Sequence, residues 1–528
     1  MRIMMITSIM KRSIPRAART YAAEFGTFLN ILILGAFFAS AIPALAGDSG
    51  NLGNPGDLYV GAATADITPD RPVLLQGQFN TRIARSAATP ITANVIALEA
   101  RDGQRPLDRV ILVSIDVCTI RPNLRDAISG ELAKIFPQFD AAKDLIIAAT
   151  HTHTSVATSN DYTLPAGVDR SEILMEDDAA RFLGEKIAPA IVRAWEGRVR
   201  AQFSYGLGNA VVAFNRRSVY ADGSAVMYGP TNRSDFRKVE GMEDHDVGCC
   251  FFWDTEGKLL AMIVNPSCPS QEVEGLSVIN ADYWHPVREA LHEKYGADVV
   301  IAGFCGAAGD LSPHVRYRNK AIDRMTRLRG EDNLHEIARK IVAAVDEVYP
   351  VVEPEKSGAV SFERGYFVAD LPQQRVPAEL CEKFRQEAAE LKTKLDADAN
   401  NGADNLYVNY YWTKGVVDRY EAQQGVENPT FPVGVHVLRL NDLAICTNPF
   451  ELYTDFGVQI KARSKATQTI IIQLASQVAE GGEGYVPSQY ATQGGGYGAI
   501  PQSNLIGAEG GQLYTEKTIE AINALFAE

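Results

Sequence analysis

Cysteine is scarce in this chain of 528 residues, with only seven. That is too few for a disulfide-held scaffold, and the odd number leaves at least one thiol unpaired within a monomer. Histidine is nearly as scarce, with eight residues, so two that fall close together stand out. Positive charge is in deficit, since 51 Lys and Arg oppose 65 Asp and Glu for a net charge of -14. This balance disfavours nucleic acid or an anionic membrane as partner, a local basic groove aside. No Walker phosphate loop, dinucleotide fingerprint or G-x-S-x-G elbow occurs, and no internal repeat sets the organisation. After the N-terminal region there is no second long apolar run, so a protein soluble after export is expected.

What is present begins with a leader. Arg2, Lys11, Arg12, Arg16 and Arg19 precede an apolar stretch from Phe28 to about Leu45, and Ala44-Leu45-Ala46 has the small-x-small form that signal peptidase accepts. Residues 1–46 read as a signal peptide and 47–55 as a short linker. A retained membrane anchor is the alternative, which Pro43 and the adjoining Ala-x-Ala disfavour. No Cys directly follows Ala46, so a lipid anchor is not indicated. Cleavage there removes five bases and Glu24, taking the net charge from -14 to -18. A secreted or periplasmic location is expected.

The remaining chain alternates strand and helix patterns, which predicts an α/β fold with a large mixed sheet and helical insertions. A hydrophobic content of 46% suits an extensive core. Extended segments are predicted at Ala93 to Ala100, Val110 to Val117, Leu145 to Ala149, Leu259 to Val264 and Val299 to Phe304, and near Gln202 and Val211. Helices are predicted at Arg121 to Lys134, Asp177 to Trp195, Ala321 to Val348 and Ala378 to Leu395. Val435 to Leu440 and Leu443 to Thr447 form a hairpin-like pair around Asn441-Asp442, and another helix begins near Glu451. The segment 396–424 differs in character, with a polar Asp and Asn loop followed by Tyr407, Tyr410, Tyr411 and Trp412. It is expected as an accessory insertion whose rings either line a substrate channel or pack one lobe on another. Cys249 and Cys250, in a strand-like run, read as buried small side chains.

The most informative local pattern is Asp144-Leu-Ile-Ile-Ala-Ala-Thr-His-Thr-His-Thr-Ser155. An apolar strand ends at Thr150 and leads into two imidazoles. In an extended segment His151 and His153 point to one side, where neutral imidazole binds metal or exchanges protons near neutral pH. A structural histidine pair bonded to hydroxyls is the alternative. In Gly303-Phe-Cys-Gly-Ala-Ala-Gly-Asp-Leu-Ser-Pro-His314, small residues follow a buried strand and permit close backbone approach. Asp310 and Ser312 there are candidates for orienting a substrate, and Ser312 for a nucleophile; an Asp/Ser turn is the plain alternative.

These motifs together resemble the neutral, non-lysosomal ceramidase family. The resemblance runs through Gly61-Ala-Ala-Thr-Ala-Asp-Ile-Thr-Pro69, Ala149-Thr-His-Thr-His-Thr154, Asn215-Arg216, Gly309-Asp-Leu-Ser-Pro313, Asn448-Pro-Phe-Glu451 and Gly484-Tyr-Val486. It implies a zinc-dependent amidase that cleaves the N-acyl bond of a sphingoid lipid. It further implies His151, Glu451 and Tyr485 as zinc ligands, His153 as their catalytic neighbour, Arg216 as a substrate-positioning cation and Ser312 as a catalytic hydroxyl. Arg216 beside Arg217 can equally be a solvated turn, Glu451 a helix-start carboxylate, and Tyr485 a packing ring among glycines.

The resemblance also exposes a departure. Leu260-Ala-Met-Ile-Val-Asn-Pro-Ser-Cys268 corresponds to the segment that supplies a second zinc histidine, and this chain has Asn265 there. An amide oxygen does not replace imidazole equivalently for zinc. Asn265 itself, or a shifted contribution from Cys268, Asp282 or His285, is the candidate substitute. Three functional readings follow: a divergent metal hydrolase, a Ser312-based hydrolase without metal in which His153 activates the hydroxyl, and a noncatalytic lipid or small-molecule binding protein. The expected ligand is an amphipathic small molecule or N-acyl lipid, met in transient contact with a membrane surface, with no protein partner indicated. The family's additional C-terminal β-rich domain is not expected in a chain of this length.

Overall fold

The computed structural model describes residues 55–475 and 484–527. The expected signal peptide and nearly all of the linker lie outside these described residues. A nine-stranded mixed sheet organises the first part of the chain. Its order is Val300–Gly303, Leu259–Pro266, Asp246–Asp254, Val199–Asn209, Gly56–Asp66, Thr92–Asp102, Arg105–Ile115 and Leu145–Ala149, with Ala359–Val360 added to Gly56–Asp66. Arg105–Ile115 pairs parallel to Leu145–Ala149, and Leu259–Pro266 parallel to Val300–Gly303. The other pairings are antiparallel.

Strand apolarity is nearly continuous because both faces are covered. From Arg105–Ile115, Ile111, Val113 and Ile115 enter one core, with the helices Pro122–Ile135 and Glu176–Glu196, while Val110 and Leu112 enter another. Period-two alternation thus feeds two cores from one strand. The second core also receives Leu438, Leu440, Leu443, Ile445, Ile470 and Ile472 from a four-stranded sheet. That sheet has the order Phe362–Pro372, Thr430–Leu440, Leu443–Thr447 and Gln468–Ile472. Its far face packs on the helices Thr454–Arg463 and Gly507–Leu525. The layers are therefore helix, sheet, sheet, helix. All seven cysteines are free and buried, Cys249 and Cys250 among them.

Several local expectations need correction. The span Ala321 to Val348 is two helices, Asn319–Arg329 and Asn333–Val352, because Gly330 takes the left-handed conformation (φ 72°) that closes the first. Val211 is not in a strand: Val199–Asn209 ends two residues earlier. The rings after Asn405 lie on the helix Leu406–Ala422, which pairs with Ala378–Asp396 as a helical hairpin around Phe384, Val416 and Val417. Trp412 of that hairpin meets Phe79 and Tyr497 at ring-centroid distances of 5.2 and 5.8 Å, and Tyr497 meets Tyr485 at 5.3 Å. Trp412 therefore packs the insertion onto the body, whereas Tyr411 meets Tyr407 and Tyr410 at 4.7 and 4.9 Å in tilted and edge-on contacts. Beyond Tyr485 the described chain continues in the helices Gln489–Gly494 and Gly507–Leu525. No helix among the described residues is long and apolar enough to cross a membrane.

Candidate metal and hydrolytic centre

Where the C-terminal ends of Leu145–Ala149 and Leu443–Thr447 approach each other, the two sheets are tied by Ala149 N–H donating to Leu474 C=O at 3.1 Å. His151 and Glu451 both follow these ends, the usual place for a site in parallel α/β architecture. The Thr-His-Thr-His-Thr-Ser run is not an extended segment, as its spacing suggested. His151 has φ 67°, left-handed and costly for a side chain with a Cβ. The hydroxyls hold the turn. Thr152 and Thr154 both donate to Asn280 C=O at 3.0 and 2.8 Å, Ser155 donates to Asp116 C=O, and Thr150 donates to Asp116 Oδ1. Asp116 is itself gripped by Arg288 through contacts of 2.6 and 2.9 Å. The two imidazoles converge all the same, with centroids 4.8 Å apart and planes at 82°.

His151 Nδ1 lies 2.7 Å from Cys118 C=O, which assigns the proton to Nδ1 and leaves the Nε2 lone pair free in the neutral ring. That Nε2 is buried without a hydrogen-bond partner, yet Glu451 Oε2 stands 3.3 Å away, outside hydrogen-bond geometry. A lone pair facing a carboxylate needs a proton or a cation between them. Burial pushes the His151 pKa down, but Glu451 and the Cys118 sulfur more than reverse it and hold it above the ordinary imidazole value. Cys118, His151 and His153 offer ligand atoms within 4.8 Å of one another. Burial pushes the Cys118 thiol up, and His153 and His151 outweigh that to bring it down to about 6, towards the thiolate that binds metals. An orphaned imidazole nitrogen facing a carboxylate, with a thiol close by, fits a divalent cation such as zinc, and the Cys118 carbonyl behind His151 is the outer support such a ligand requires.

Glu451 begins no helix. It lies in the short strand Glu451–Leu452, paired parallel with Tyr485–Val486 in a register that sets Glu451 beside Tyr485, and the helix starts at Thr454. Burial pushes the Glu451 carboxyl up, while His151 and Arg216 pull it below its ordinary range. Arg216 is buried, donates to Gly309 C=O at 2.8 Å, lies 3.7 Å from Glu451 Oε2 and sits 5.3 Å from the Tyr485 ring centre. The solvated-turn reading of Arg216 is thereby set aside.

His153 has different company. Its Nε2 lies 2.8 Å from the Gln271 side-chain nitrogen and its Nδ1 lies 3.2 Å from Glu274 Oε2. Glu274 in turn contacts His314 at 3.2 Å, and His314 lies 3.5 Å from Glu272. Burial pushes Glu274 up, but the two imidazoles hold it well below the usual carboxylate range. Ser312, fully buried, accepts from Tyr228 O–H at 3.0 Å and from His314 N–H at 3.1 Å. Neither partner is His153. Asp310 is structural: its carboxylate accepts from Asn215 and from the Thr454 N–H and hydroxyl.

The four substitute ligand candidates do not join the centre. Asn265 Nδ2 donates to Phe304 C=O and Ile471 C=O at 3.1 and 3.0 Å, so its amide ties the two sheets. Cys268 is buried against Val212 C=O, and burial raises its thiol. Asp282 is engaged by the Val273 and Tyr283 N–H groups. His285 faces Glu289 one helical turn away. The centre instead recruits Cys118, Gln271, Glu274 and Tyr228, which sequence reasoning missed. Cys118 was the accessible one: with Ile115 in register with Ala149, the residues just past both strand ends must be neighbours.

No protein-family profile and no curated protein sequence matches the chain. Among solved structures, neutral ceramidase from Pseudomonas aeruginosa is similar, with a TM-score of 0.63 at 16% identity over 89% of this chain and 74% of that one. A ceramidase complexed with C2 is similar too, with a TM-score of 0.61 at 15% identity over 89% of this chain and 75% of the other. The described residues therefore have the neutral-ceramidase fold, a mixed α/β architecture carried by a distant sequence.

Proposed function

We propose that the protein is an exported, metal-assisted hydrolase that cleaves the N-acyl amide bond of an amphipathic substrate. The observation that carries this reading is His151 Nε2, buried and unpartnered against the Glu451 carboxylate. His151 and Glu451 would hold the ion, with Cys118 and His153 within reach and Tyr485 beside Glu451. When bound, zinc supplies Lewis-acid polarisation of the amide carbonyl and lowers the pKa of water. The chain's own groups do the rest. Arg216, fixed by Gly309 C=O, stabilises the oxygen that gains negative charge. His153, supported by Glu274, takes the proton of the attacking water and returns it to the departing amine. Tyr228 and Ser312 form a hydroxyl pair that orients the substrate.

A cavity of 410 Å³ is lined by Tyr228, Glu274 and His314, by Phe214, Ile322 and Ile337, and by further charged side chains. A mixed polar and apolar lining supports an amphipathic ligand. The Ser312-based alternative is disfavoured, because the Tyr228 hydroxyl and the His314 backbone N–H both donate to Ser312 Oγ and neither is a base for it.

Elemental analysis of the exported protein purified without chelator, combined with a panel of N-acyl lipids and short N-acyl amino acids, tests the reading. Release of both acid and amine, lost on chelation and in His151→Ala, is expected. Saturable binding without turnover and without metal would make it a binding protein, and release only from esters would move it to another hydrolase class.

A further inference from the structure

A second cavity, of 370 Å³, lies between the loop at 160–170 and the tip of the helical hairpin. Hydrogen bonds fix its walls: Ala166 N–H donates to Asn400 Oδ1 and Asn401 Nδ2 donates to Leu164 C=O, both at 3.1 Å. Tyr162 forms part of the wall, its hydroxyl accepting from Gly77 N–H at 3.0 Å. Glu176 lines this cavity and is only 2% exposed, and its Oε2 has no hydrogen-bond partner. A buried carboxylate oxygen in that condition is unfavourable unless a donor meets it. Arg170 lines the same cavity from an exposed position. Among the described residues neither Glu176 nor Arg170 enters a salt bridge, although both line one cavity.

We infer that this cavity binds a small zwitterion, with a primary ammonium on Glu176 and an anionic group on Arg170. Three ammonium N–H groups match an acceptor-only carboxylate. The Tyr162 and Tyr407 rings beside it favour a cation over a neutral donor, and Asn160 and Asn401 add polar edges. At the outer end the guanidinium fork accepts a carboxylate or a phosphate alike, so a free amino acid and a phosphorylated amino alcohol share the required chemistry. Different residues line this cavity and the 410 Å³ one, and the ligand inferred here does not depend on the chemistry assigned there. Glu176 also opens the helix Glu176–Glu196; a carboxylate kept only for that helix end would show no ligand preference.

Titration calorimetry on the full exported chain tests the assignment with β-alanine, propylamine and propionate, followed by O-phosphoethanolamine. β-Alanine should bind saturably and about tenfold or more tightly than either single-charge analogue. Glu176→Gln should abolish the advantage over propionate, and Arg170→Gln the advantage over propylamine. Tighter binding of O-phosphoethanolamine than of β-alanine points to a phosphorylated source, and the reverse to an amino acid. Should Glu176→Gln fail to fold, the exposed Arg170→Gln and the three-ligand series on the native chain still decide. Absence of β-alanine binding, or binding of equal strength by all three ligands, overturns the inference.

Discussion

The two sides of the candidate centre are built differently although their histidines are two residues apart. His153 belongs to a chain of polar contacts through Glu274, His314 and Glu272 that reaches the 410 Å³ cavity. His151 has one fixed bond behind it, to Cys118 C=O, and a bare nitrogen in front. His153 Nδ1 is bare in the same sense, facing Glu274 as His151 Nε2 faces Glu451, so the two rings differ in what lies beyond the carboxylate: His314 and the cavity for His153, Arg216 for His151. The same Thr-His-Thr-His run thus yields two roles because the surrounding loops differ.

Substitutions separate those roles. His151→Ala should remove bound metal and, with it, activity by three orders of magnitude or about that, while His153→Gln should retain metal and lose about 10² to 10⁴ in turnover. Elemental analysis alongside rates reads both, and metal loss in His153→Gln with retention in His151→Ala would reverse the assignment. Gly77 sharpens the contrast: it has φ 106°, and a Cβ there would meet His153 Cγ at 2.3 Å. Gly77→Ala should therefore displace only the proton-moving ring, costing roughly 10² in rate through misplacement with metal content unchanged.

Both histidines depend on Asp116, whose buried carboxylate takes two contacts from Arg288. Arg288→Met leaves that charge uncompensated and should cost about 3–5 kcal/mol in denaturant unfolding. A loss under 1 kcal/mol would mean that Asp116 finds other partners. A remote histidine serves as the control. His436 is buried against the Tyr366 ring and brought down to about 3 by burial and by Arg364. The folded state therefore keeps His436 neutral while the unfolded state takes up a proton below about pH 6.5. Its contribution is full above that value and falls by up to about 1.4 kcal/mol per pH unit as pH drops towards 3. His436→Gln should flatten this acid slope without altering metal content. The smallest change expected is in Asn265→His. Losing an amide that ties Phe304 to Ile471 should cost about 1–3 kcal/mol, and metal stoichiometry should stay as it was.

The sheets were legible in the sequence because strands buried on both faces leave long apolar runs, as in Leu145–Ala149. His151, Glu451, Tyr485 and Arg216 were legible as a motif set, and the structure brings them together. The substitute ligands misled because nearness in sequence to Asn265 says nothing about direction: His285 points along its own helix to Glu289. Glu274 escaped because its role depends on a loop crossing to His153, with no local periodicity to mark it. Tyr407 to Trp412 hid a helix because only Thr413, Val416 and Val417 of that helix are buried, too narrow a stripe to announce itself.

Asn265 Nδ2 donating to Ile471 C=O and Ala149 N–H donating to Leu474 C=O both join the two sheets, and the Glu451 strand follows Leu443–Thr447 of the second. The imidazoles come from the first sheet and the carboxylate from beyond the second, so neither half of the chain alone possesses a centre. Such distant pairings form late and slowly. Recovery of the complete centre during refolding should consequently lag behind recovered secondary structure, and a chain still being synthesised would lack it until nearly all of its length had emerged.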